Sequence, residues 1–156
     1  MICRAARNAS LALFIGMSAL WVAPAHAALG GDVASVLADQ ADLHGNATTE
    51  LRQQYDVQEI ANDAGMRVRE YLDRAGNVFA VSWSGPVLPD LQRLLGAHYA
   101  QYTTGLAVLR HPGLQRSVRL STPELVAESA GHLRAYAGRA YLPALVPAGV
   151  LAAELR

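Results

Sequence analysis

The chain has 156 residues, 52% of them apolar, with 13 basic and 13 acidic side chains and a single cysteine. That is enough for one domain with a well-filled core, and the balanced charge argues against general nucleic-acid binding, which wants a basic excess. Every basic residue is arginine. The planar guanidinium suits bidentate capture of carboxylate or phosphate, although genome composition is the simpler source of an arginine-only protein.

Residues 1–27 read as a secretory signal peptide. Arg4 and Arg7 form a positive start, Ser10 to Val22 an apolar stretch, Pro24 a helix breaker, and Ala25-His26-Ala27 the small-residue pattern that a signal peptidase accepts. The competing reading is an uncleaved membrane anchor, opposed by Pro24 and by Gly30-Gly31. Cleavage after Ala27 leaves 129 residues with 11 arginines, 13 acids and no cysteine. Such a product has no transmembrane segment, belongs in the periplasm or outside the cell, and owes its stability to packing, since no disulfide can form.

Asp32 predicts an N-cap for a helix over Val33 to Asp42, with Val33, Val36 and Leu37 on one face. The stretch from Ala47 to Gln54 is ambiguous. Alternation from Tyr55 to Ala61, from Met66 to Asp73 and from Val78 to Ser84 predicts three strands, with turns at Asn62-Asp63-Ala64-Gly65 and Arg74-Ala75-Gly76-Asn77. The third strand carries no charge and should be central, with Phe79, Val81 and Trp83 on one face and Val78, Ala80 and Ser82 on the other. After Gly85-Pro86, Pro89-Asp90 opens a second helix whose stripe is Leu91, Leu94, Leu95, His98, Tyr99 and Tyr102, ending at Gly105. Leu114 to Leu120, Leu125 to Ser129 and Leu133 to Ala137 predict three more strands, broken by Pro123 and by Ala130-Gly131. The expected fold is a single α+β domain over 28–142, ordered helix–three strands–helix–three strands, with an antiparallel sheet and helices on one face. Residues 143–156 form a proline-punctuated C-terminal tail.

Three runs are distinctive: Val78 to Leu91 (VFAVSWSGPVLPDL) followed by Leu94-Leu95-Gly96, Leu29-Gly30-Gly31-Asp32 near the mature start, and Gly138-Arg139-Ala140-Tyr141-Leu142-Pro143 near the end. Together they resemble an exported bacterial family known as domain of unknown function 2844. The resemblance implies a secreted bacterial protein and assigns no activity, so it brings no functional residues with it.

No catalytic, cofactor or metal signature stands out. His44, His98, His111 and His132 lack the two-, three- or four-residue spacings that preorganise a metal site. Gly30-Gly31-Asp32 suits an anion-binding helix start, but the Asp32 carboxylate would occupy those amides as a cap. Ser84 with His98 and Asp90 is the one hydrolase or metalloenzyme arrangement worth testing, and it lacks the glycines of a nucleophile elbow. The candidate binding surface is Trp83, Pro86, Pro89, Tyr136, Arg139 and Tyr141, in which aromatic faces and a planar cation can line a groove for a protein, peptide or envelope polymer. The alternation also explains Trp83 as core, with the prolines merely shaping a corner. The function expected from the sequence is thus a non-catalytic exported binding or envelope-accessory module.

Overall fold

The computed structural model describes residues 29–109 and 117–156. The predicted signal peptide, His111 and the start of the fourth predicted strand at Leu114 lie outside them. Helix α1 spans Val33–Leu43, and four strands follow: β1 Asn46–Leu51, β2 Asp56–Ala61, β3 Arg67–Leu72 and β4 Val78–Gly85. Next come α2 Leu91–Leu95, a 3-10 turn over Gly96–His98, and α3 Tyr99–Leu109. β5 Ser117–Ser121, β6 Val126–His132 and β7 Ala135–Tyr141 complete one seven-stranded sheet, ordered β1-β2-β3-β4-β7-β6-β5. All its pairings are antiparallel.

The fold is therefore α+β, but its order is one helix, four strands, a broken helical segment and three strands. The added strand is β1, drawn from the ambiguous stretch. Its residues are nearly all exposed, so no apolar alternation marks it; only its ladder to β2 makes it a strand. β4 is the middle strand of the seven, as its uncharged sequence predicts, and Val78 to Trp83 are all buried.

A β-bulge corrects the predicted faces of β4. Tyr71 pairs with Ala80 and Leu72 with Val78, which leaves Phe79 as the extra residue. Phe79 and Ala80 consequently join one apolar cluster, while Val78, Val81 and Trp83 join the other. That second cluster is covered by Val36 of α1, by Leu91, Leu94 and Leu95 of α2, and by Tyr102 of α3, so all the helices lie on one face.

The helices depart from their predicted stripes in two places. In α1 the buried residues are Ser35, Val36 and Asp39, while Val33 and Leu37 are exposed. Asp32 does cap it, accepting from the Ser35 N–H at 3.1 Å. The second predicted helix is broken at Gly96, whose φ of +48° ends α2. It resumes as α3 and runs through Gly105 to Leu109, because a Cβ at Gly105 would stand 2.5 Å from Leu120, so the missing side chain lets α3 close onto β5. The predicted break at Ala130-Gly131 moves as well. His132 still pairs with Ala135, and the turn is Leu133-Arg134, with Arg134 at φ +66°.

Opposite the helices, residues 143–156 return across the sheet through short 3-10 turns at Pro143–Leu145 and Ala152–Glu154. Leu155 is fully buried and, with Val146 and Val150, packs on Tyr55, Val57, Tyr71, Phe79 and Ala80. Tyr55, Tyr71 and Phe79 form the floor of that contact, with ring centroids 5.9–6.2 Å apart. The segment covers the β2–β3–β4 part of this face.

Candidate functional site

Beside the C-terminal segment, the rest of that face is a groove of about 490 Å³ over β3, β4, β7, β6 and β5. Its floor follows from strand register. Thr48, Glu59, Arg69, Ser82, Arg139, Glu128 and Arg119 are successive cross-strand partners and form one row across all seven strands. A neighbouring row places Arg67 beside Ser84, and Ser84 beside Ala137. Side chains directly opposite one another on one face interact, and here opposite charges meet.

Arg69 Nε donates to Glu59 at 2.6 Å, and Arg67 pairs with the same carboxylate at 3.1 Å. Arg139 contacts Glu128 at 2.8 Å, and Arg119 reaches the other oxygen of Glu128 at 2.5 Å. Arg69 also donates to the main-chain oxygen of Arg156 and Arg139 to the Ala152 carbonyl, which stitches the row to the C-terminal segment. The side chains of Arg119 and Arg67 are 74% and 52% exposed, whereas Arg139 is mostly covered at 17%. The floor is therefore preorganised, with two outward-facing cations at its edges.

The six residues of the predicted binding surface do not come together. Trp83 is buried on the helix side, over Gly138; a Cβ on that glycine would lie 2.3 Å from the indole. Tyr136 shares the pleat direction of Gly138 and Ala140, also toward the helix side. It lines a separate apolar corner with Pro86, Val87, Leu88, Leu133 and Arg134. Pro89 leads into Asp90, the cap of α2. Arg139 and Tyr141 face the other side, Arg139 in the groove and Tyr141 against the C-terminal segment's apolar cluster. Sequence reasoning thus found Arg139 and missed Arg67, Arg69, Arg119, Glu59 and Glu128. Alternation does set Arg67 and Arg69 of β3, Glu128 of β6 and Arg139 of β7 on one face of each strand, but only the strand order shows that these faces adjoin.

Ser84, Asp90 and His98 are also apart. Ser84 lines the groove. Asp90 accepts from the Arg93 N–H at 3.2 Å as the cap of α2, and His98 lies in the helical layer beside Gly30, with the sheet between them and Ser84. Among the described residues no group of three His, Cys, Asp or Glu side chains is placed to hold a metal ion, and no helix is long and apolar enough to cross a membrane.

A second polar cluster lies on the helix side of the sheet. Glu70 of β3 is fully buried and faces Asp39 of α1. Arg93 of α2 donates to Asp39 at 2.7 Å and also contacts Asp42. Burial, then the Asp39 charge and hydrogen bond, push the Glu70 carboxyl up to about 8. Protonated Glu70 can donate to Asp39, so the pair holds one proton and one charge, and Arg93 neutralises the charge.

A seven-stranded antiparallel sheet with helices on one face and a charged groove on the other defines an α+β scaffold that presents a sheet surface. The chain belongs to the family described as Protein of unknown function (DUF2844), whose model matches residues 25–155. No curated protein and no solved structure matches the chain.

Proposed function

We propose that this protein is an exported, non-catalytic binding module whose ligand lies in the groove over β3, β4, β7, β6 and β5. The carrying observation is the row from Glu59 to Arg119, in which charged side chains from five strands are held in place by ion pairs and by the C-terminal segment. Preorganised polar groups lose little entropy on meeting a ligand, which is how a shallow site gains affinity. The groove volume also falls within the range of ordinary ligand sites. Of the surface expected from the sequence, Arg139 belongs to this site.

Export rests on the N-terminal pattern and on the exported family that the central run resembles. A periplasmic or extracellular protein, peptide or envelope polymer would be the partner.

Site-specific photo-crosslinking in the producing cells tests the reading. A crosslinking residue at Ala130, exposed and on the same pleat as Glu128 in the groove floor, should form adducts in the envelope fraction. The same residue at Ala75, in the exposed β3–β4 turn, should not. Equal yields at both positions would remove the groove as the binding surface. The same preparation, sequenced from its N-terminus, should begin at Ala28.

A further inference from the structure

We infer that the groove takes an extended acidic peptide segment, its carboxylates paired with Arg119, Arg67 and the arginines between them; this rests on the groove being the binding surface. Charge is the first argument. Arg67, Arg69, Arg119, Arg139 and Arg156 line the groove, and Glu59 and Glu128 are the acids paired with them. A local excess of cations thus sits on a chain whose residues 28–156 carry 11 arginines against 13 acids. Arg119 and Arg67 reach solvent, and a guanidinium there can form bidentate pairs with an incoming carboxylate.

Spacing is the second argument. Arg69, Arg139 and Arg119 stand in one row on β3, β7 and β5, two strands apart each time. Neighbouring strands lie about 4.8 Å apart, so these positions recur at about 10 Å. A polyproline II peptide rises about 3.1 Å per residue and repeats its face every third residue, at about 9 Å. An acid at every third position would therefore meet successive arginines.

Peptide, moreover, already lies on this face. Arg139 donates to the Ala152 backbone carbonyl of the C-terminal segment, and Arg69 to the main-chain oxygen of Arg156. A stacked sugar is disfavoured, because among the described residues at the groove floor the aromatic one, Trp83, turns its indole to the helix side and is only 3% exposed.

The test is calorimetric titration of the protein, expressed from its whole coding sequence, with acetyl-(Glu-Pro-Pro)3-amide, its Gln-Pro-Pro analogue and oligogalacturonate. The acidic peptide should bind saturably and weaken steeply between about 0.02 and about 0.2 M salt. Arg119→Ser should weaken it about tenfold, the worth of one charge-assisted pair, without shifting the melting temperature. Equal binding of the glutamine analogue would overturn the inference, as would an unchanged affinity in Arg119→Ser. Binding of oligogalacturonate alone would assign the groove to an acidic polysaccharide instead. If neither acid binds while crosslinks form at Ala130, the site stands and the acidic-peptide assignment falls.

Discussion

Two residues on the helix side of the sheet each yield a measurable consequence. Glu70 is a buried acid whose carboxyl sits near 8 in the folded chain against 4.5 for an ordinary glutamate. The folded state therefore holds a proton that the unfolded chain has lost between about pH 4.5 and about pH 8. Stability falls as pH rises through that window, by on the order of 1 kcal/mol per pH unit at most, and levels off above it. Glu70→Gln keeps a donor toward Asp39 without a titrating proton. Chemical denaturation at a series of pH values should give a flatter profile for this variant, and higher stability than the parent at pH 8. A parent profile already flat from pH 5 to 8 would contradict the shared proton. Gly138 is the second case. A Cβ there would lie 2.3 Å from the Trp83 ring and 2.6 Å from the Glu128 carbonyl. The carbonyl belongs to the sheet ladder, so neither neighbour can yield cheaply. Gly138→Ala should cost about 2–3 kcal/mol in thermal or denaturant unfolding, and Trp83→Phe should relieve part of that cost in the double variant.

Elements that bury a regular pattern were legible in the sequence, and those made by pairing or by local exceptions were not. β2, β3 and β4 were readable because turn residues bound each alternating run; Gly65 and Gly76 supply left-handed φ, and Asp73 accepts from the backbone N–H groups of Ala75 and Asn77 at 2.8 and 2.9 Å. The β6–β7 turn was displaced because Arg134 adopts a left-handed φ without glycine, whereas Gly131 stays within β6, close against Tyr136. The bulge at Phe79 is invisible to a period of two. In α1 the apolar positions misled, since the helix turns Asp39 inward toward Glu70 and Arg93. The groove was legible only through Arg139; its other charges lie on strands distant in sequence. Residues 143–156 show the same limit, for their prolines suggest a tail while Leu155 is fully buried. Leu155→Ala should cost about 2–4 kcal/mol by emptying the site over Tyr71 and Phe79. It should also loosen the Arg69 and Arg139 contacts to the segment, read as faster amide exchange around Ala152. A loss below about half a kcal/mol would mean that the segment adds little to the fold.

The molecule as a whole is a sheet held from both sides at its centre and from few sides at its rims. β4 has the helical layer on one face and the C-terminal segment on the other, with both apolar clusters meeting along it. β1 lies at one edge, nearly all exposed. β5 lies at the other edge, but Leu120 beneath Gly105 ties it to α3. The two edges are thus unequal, although each has a partner strand on one side only. Amides open locally at a cost that tracks burial and packing, and the most enclosed strand opens only with global unfolding. Hydrogen exchange should be slowest in β4, then β3 and β7, with β1 fastest of the seven strands and β5 distinctly slower than β1. Exchange as slow in β1 as in β4 would mean that β1 is covered by something, a second chain or a bound strand, and that the sheet does not end there. Equal rates in β1 and β5 would deny that the Gly105–Leu120 contact anchors the far edge. Since β5 supplies Arg119 to the groove floor, that anchor is also what keeps the outermost cation in register with Glu128 and Arg139.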